Sequence, residues 1–218
     1  MLRLMKKFSL WYVLYPVLLL VFALPMFNYD RLSSPDPMSL DFATYLAPMV
    51  WLVLAAMWSH EQMESKSNGY IFLRILPIDP PLIAKAKFAL VFIAVAIYVG
   101  GCCAAFALVS TSPEYLIPSC GYVILFGDIC LLTAGLMYIG IFRFGYSRFG
   151  KYVLIAWVIL LISPLLIRIF ILKPRGISDT EIIQFLRGPT WIAGTVVSLI
   201  GFYFLMKLAG RKLSESYA

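Results

Sequence analysis

Six apolar runs, each between about 17 and 26 residues long, recur along this chain, at about 9–27, 43–59, 86–109, 117–142, 153–171 and 189–208. A helix of about 20 apolar residues crosses the roughly 30 Å hydrocarbon core of a bilayer, where every backbone polar group must be satisfied within the segment itself. A chain of 218 residues has no soluble core large enough to bury six such segments. Composition agrees: 62% of residues are hydrophobic and 13% charged, against about 45–50% and about 25% in a soluble domain. The sequence predicts an all-α polytopic membrane protein, a single transmembrane domain over residues 1–218 with six helices. The loops and tails are too short for a separate catalytic domain of ordinary size.

The formal net charge of +7 would suggest nucleic acid in a soluble chain. Here the cations follow the positive-inside rule, and no nucleic-acid partner is predicted. With the N-terminus inside, thirteen Lys and Arg fall in inner segments, Lys66, Arg74, Lys85, Lys87, Arg143 and Lys207 among them, and five fall outside: Arg31, Arg168, Lys173, Arg175 and Arg187. The expected location is a cytoplasmic membrane, with both termini cytoplasmic. The first run follows Arg3, Lys6 and Lys7 but has no small-residue cleavage site after it, so it reads as an uncleaved span.

Two connections carry more than turn residues. Between spans two and three, residues 59–88 place charges at both ends and Ile71, Phe72, Ile75 and Leu76 at helical spacing. This predicts a short amphipathic helix on the cytoplasmic surface, broken by Pro77, Pro80 and Pro81. Between spans five and six, Ser178 and Glu181 have capping-box spacing ahead of Ile182, Ile183, Phe185 and Leu186, which predicts a short helix at the outer face.

Most catalytic chemistries find no residues to run on. Gly145 to Lys151 matches a GxxxxGK string, but Tyr152 stands where a phosphate-binding loop needs Ser or Thr, and no soluble sheet precedes it. This chain is therefore expected to bind no nucleotide, cofactor or metal itself. The one histidine, His60, lies at a helix end, whereas metalloproteases and His-based hydrolases need His in a cavity, often more than one. Cys102, Cys103, Cys120 and Cys130 lie in apolar runs without metal-ligand spacing and read as buried thiols.

Asp128 is the one carboxylate well inside a predicted span. A charge there costs roughly 2.5 to 3.5 kcal/mol on insertion scales, so it faces the bundle interior or water. It is either a pathway residue, for a proton, cation or substrate, or a structural group bonded to Thr133, Tyr138 or a neighbouring span, with Arg168 the nearest countercharge by depth. Small residues, Gly100, Gly101, Ala104 and Ala105 on span three and Gly194, Ser198 and Gly201 on span six, mark faces for close packing within the chain or between two copies.

The connection after span two carries a pattern: Glu64, Lys66, Gly69, Leu73, Leu76, Pro77, Ile78 and Ile83, then the pair Lys87 and Phe88 opening span three. It resembles the corresponding region of ABC-2 type permeases, the membrane subunits of exporters whose ATPase is usually a separate chain. Asp79 and Pro80 stand where that family commonly has Ser and Arg. The resemblance implies that Glu61, Glu64, Lys66, Gly69, Leu73, Leu76 and Pro77 form a coupling helix, with Glu61, Glu64, Lys66 and Arg74 facing the cytosol. It also implies a partner ABC ATPase in two copies that binds ATP and Mg, and a second permease, identical or homologous. Met1 to Phe8 resembles the interfacial helix that precedes span one in that family.

The expected function is export of an amphipathic or hydrophobic substrate, such as a peptide, lipid or drug, with no catalytic residue in this chain. Two alternatives come from other classes. One is an ATP-independent secondary transporter that uses Asp128. The other is a membrane-embedded lipid-modifying enzyme, for which Glu61 and Glu64 offer the paired carboxylates.

Overall fold

The computed structural model describes residues 51–66, 78–109, 113–146, 148–149 and 190–217. They form four helices: α1 (Trp51–Lys66), α2 (Pro80–Val109), α3 (Pro113–Phe144) and α4 (Thr190–Tyr217). The predicted spans at 9–27 and 153–171, the outer helix around 178–186, the N-terminal segment and residues 67–77 lie outside the described residues.

Three helices have membrane-spanning length and apolarity: Pro80–Ala107, Leu116–Phe144 and Trp191–Glu215. α2, α3 and α4 contain 30, 32 and 28 residues, so each runs for about 42 to 48 Å. Each exceeds the hydrocarbon core by several residues, and the surplus carries the charge. All eight described Lys and Arg side chains sit towards one end of the bundle, where α1, α3 and α4 finish and α2 begins. The apolar surface also suits lipid: on α4, Val197 is 68% and Phe204 64% exposed, which water would penalise.

The helix boundaries differ from the sequence expectation in two informative places. α2 starts at Pro80, six residues before the predicted span. Pro80 and Pro81 open that helix rather than break it, because the first turn has no intrahelical acceptor for an N–H and proline has none to lose. Asp79 is the cap residue: its carbonyl accepts from the N–H groups of Leu82 at 2.9 Å and Ile83 at 3.4 Å, and an acidic residue suits the positive end of the helix dipole. α1, in turn, continues through Lys66 instead of ending near Ser59. The sequence HEQMESK has no Gly or Pro to stop it.

α3 ends at Gly145, whose φ of 76° is the left-handed conformation that glycine adopts without a Cβ clash. Its N–H donates to the Ile141 carbonyl at 2.9 Å, closing the αL cap. The chain then turns so that Tyr146 stacks on Trp58 of α1, with ring centroids 4.5 Å apart. The GxxxxGK string thus begins with a helix cap.

α3 packs against both α2 and α4, and α2 packs against α4, so the three long helices form a triangle with α1 beside α2 and α3. Phe88 of α2 sits at the junction, fully buried, 5.3 Å from the Tyr138 ring of α3 and 5.0 Å from the Phe202 ring of α4. The small residues of α4 face α3: a Cβ on Gly201 would lie 3.2 Å from Leu132, and one on Gly194 would lie 3.7 Å from Leu125. That face serves packing within the chain. A Cβ added at Gly100 on α2 would meet nothing within 4 Å among the described residues.

Of the described α3 glycines that face α4, Gly135 has the least room: an added Cβ would stand 2.8 Å from Leu205 Cδ1 and 3.1 Å from Leu205 Cβ. Gly135→Leu is therefore expected to overpack the interface by about 1 to 3 kcal/mol. A lower thermal midpoint in detergent, restored in part by Leu205→Ala, is the expected result; an unchanged midpoint contradicts this packing.

Candidate functional site

Among the described residues, two polar constellations interrupt the apolar interior. The first lies at the cationic end, where α1 and α2 meet. Glu61 and Glu64 are three residues apart and so share one face of α1. That face turns towards Lys87, about two turns past the start of α2. Lys87 Nζ lies 2.5 Å from Glu61 Oε1 and 2.7 Å from Glu64 Oε2. Glu61 and Lys87 are almost fully buried, at 0% and 2% exposure. Lys87 also sits 5.8 Å from the centroid of the Tyr138 ring, whose face favours a cation.

The sequence expectation that Glu61 and Glu64 face the cytosol is therefore corrected. They belong to the continuous helix α1, and its register carries them inward to an ammonium. Lys66, at the last position of α1, is exposed. Arg74 and four of the coupling positions, Gly69, Leu73, Leu76 and Pro77, lie outside the described residues.

His60 joins this cluster: one donor atom each from His60, Glu61 and Glu64 lie within 4.8 Å of one another. These donor types suit a divalent cation. Both carboxylates, however, are already bonded to Lys87, which brings the positive charge that a metal would otherwise supply. Tyr146 borders the same end, and partial burial together with the Glu61 charge pushes its phenol up to about 12. It stays a neutral donor throughout the physiological range.

The second constellation is at mid-bundle. Asp128, halfway along α3, is 5% exposed, and Thr195 of α4 donates its hydroxyl to Asp128 Oδ2 at 2.7 Å. The Trp191 carbonyl stands 3.2 Å from the same Thr195 oxygen. A hydroxyl carries one proton and two acceptor lone pairs, so this arrangement serves either state of the acid. A carboxylate accepts from Thr195; a protonated Asp128 donates to Thr195, which then donates to the Trp191 carbonyl. The partner is thus on the neighbouring span, one of the alternatives raised by the sequence, and not Thr133 or Tyr138. Arg168 lies outside the described residues.

Lys87 and Thr195 are the residues that sequence reasoning passed over as site members. Lys87, two residues inside the predicted third span, looks like an inner-loop cation when charges are counted; its depth was the available signal. Thr195 sits next to Gly194 on the packing face of span six, where a hydroxyl facing α3 has few acceptors besides Asp128. No described cysteine is in a disulfide.

The described elements are all helices, and three of them are long and apolar enough to cross a membrane, as in helical membrane proteins. No protein-family model matches it, and neither curated proteins nor solved structures give a match.

Proposed function

We propose that the chain is the membrane subunit of an ATP-driven exporter, a six-span permease in a cytoplasmic membrane whose power comes from a separate ATPase. The observation that carries this reading is the ion pair between Glu64 and Lys87, 2.7 Å apart. Both residues belong to the pattern that resembles ABC-2 type permeases, and they lie near its two ends. The ion pair therefore fastens the end of α1 to the start of α2, the two helices that flank residues 67–77 in the chain. A segment tied in this way moves α1 and α2 when a partner pushes it, as a coupling element must. A loop on loose ends would absorb the push by local motion.

The neighbouring pair Lys87 and Phe88 extends the fastening. Lys87 grips α1, and Phe88 is wedged between α3 and α4, so a displacement at the start of α2 reaches all four described helices. The gathering of described cations at this end suits a cytoplasmic face. In this reading both termini are cytoplasmic, Gly69, Leu73, Leu76 and Pro77 seat against the ATPase, and a second permease completes the pathway. The substrate is amphipathic or hydrophobic, and ATP and Mg bind the ATPase.

A photo-crosslinking amino acid at position 76 tests this assignment. Capture of a nucleotide-hydrolysing chain in membranes is the expected result. Crosslinks to lipid and to this chain alone contradict it.

The rival carrier reading has one supporting feature, the tolerance of the Asp128 and Thr195 pair for either protonation state. Loss of transport in Asp128→Asn, with ATP without effect, is the outcome that favours it.

A further inference from the structure

An apolar groove runs along the outside of the bundle between α2 and α4. It encloses about 480 Å³ and is walled by Phe92, Ile93, Tyr203 and Met206, with Lys85 at one end. Its volume falls within the range of about 300 to 1,000 Å³ typical of small-ligand sites. Phe92 and Tyr203 are 43% and 49% exposed, so the groove opens sideways, towards the surroundings of the bundle. The Lys207 ammonium lies over the Tyr203 ring, 4.9 Å from its centroid.

Two cations therefore cap one end of an apolar trough. They share a depth: Pro81, one turn before Lys85, is 3.4 Å from the position of a Cβ on Gly210, three residues after Lys207. Both side chains belong to residues exposed at the surface, and Lys87, the nearby lysine that is engaged with carboxylates, points to α1 instead.

We propose that this groove holds an anionic phospholipid, with an acyl chain against Phe92, Ile93, Tyr203 and Met206 and the headgroup phosphate at Lys85 and Lys207. Charge decides between this occupant and a second copy of the chain. Copies in one bilayer share an orientation, so a two-fold contact on this face sets Lys85 and Lys207 of both copies at the same depth. Like charges then confront each other, which opposes association. A lipid phosphate at that depth neutralises them. The groove needs only that α2 and α4 cross a membrane, so a failed lipid test leaves the exporter reading intact.

Native mass spectrometry of the full chain, purified in detergent and stripped of lipid, measures the preference directly. The probes are phosphatidylglycerol and phosphatidylcholine with identical acyl chains. One phosphatidylglycerol per chain is expected, favoured roughly thirtyfold, about fivefold for each surface cation. Lys85→Gln with Lys207→Gln brings the ratio near one while circular dichroism stays helical, and inorganic phosphate does not displace the bound lipid. Equal retention of the two lipids, an unchanged ratio in the double variant, or displacement by phosphate overturns the assignment. A lipid-free dimer that the double variant strengthens does so too, by giving this face to a second copy.

Discussion

Lys87→Met is expected to destabilise the protein by about 3 to 5 kcal/mol, because it leaves Glu61 and Glu64 buried with their shared cation gone. The size comes from desolvation: the two acids stay out of water, and the attraction that offset this is removed. Met keeps the apolar volume of the Lys stem, so the loss is electrostatic rather than a packing loss. The test is the full set of variants. Glu61→Gln with Glu64→Gln and Lys87→Met together is expected to recover most of the stability, since no uncompensated charge remains and the amides still hydrogen-bond. Denaturant titration in detergent micelles reads both. A small effect of Lys87→Met, or no recovery in the triple variant, shows that the ion pairs do not fasten α1 to α2. In the exporter reading the triple variant has a further phenotype: the neutral cluster grips less firmly, so ATP hydrolysis continues and transport per ATP falls.

The second large effect concerns the mid-bundle acid. Thr195→Val removes the hydroxyl at 2.7 Å from Asp128 and leaves a buried carboxyl group without that partner, a loss of about 1 to 3 kcal/mol. Thr195→Val combined with Asp128→Leu is expected to return to near wild-type stability, because both polar groups are gone from the α3 and α4 interface. Asp128→Asn alone should be mild, since an amide can both accept from Thr195 and donate to it. The stability series and the transport assay answer different questions at this position. If Asp128 is structural, activity follows stability across the series. If it carries a proton, Asp128→Asn loses activity while its stability is kept.

How much of this was visible in the sequence depends on the kind of interaction. Apolar length fixes where membrane helices lie, and α2, α3 and α4 fall where runs 86–109, 117–142 and 189–208 predict them, extended by two to nine residues at one end or both. The extensions follow local rules that hydropathy does not weigh: Pro80 and Pro81 are helix-starting residues behind Asp79, and the polar end of α1 has no helix breaker. The close packing of Gly194 and Gly201 on α3 was legible from spacing, because small residues on one face have few other uses in lipid.

The polar sites were legible only in part. Asp128 stands out as a carboxylate in an apolar run, but its partner is set by the rotation of α4 against α3, a tertiary fact no spacing encodes. The inward turn of Glu61 and Glu64 was read the wrong way for the same reason. Acidic residues just past an apolar run look solvated until a lysine 23 residues further on is brought back beside them. The coupling assignment itself rests on a resemblance over residues 64–88, of which the structure adds the closure at Glu64 and Lys87.

The most direct test of the exporter account is purification of the tagged chain from its native membrane under gentle detergent, with mass identification of the copurifying chains and an ATPase assay of the eluate. The account predicts a soluble ATPase in stoichiometric amount, lost when residues 69–77 are scrambled in a variant that still inserts. No ATPase with the wild-type chain, or one retained undiminished by the scrambled variant, contradicts it.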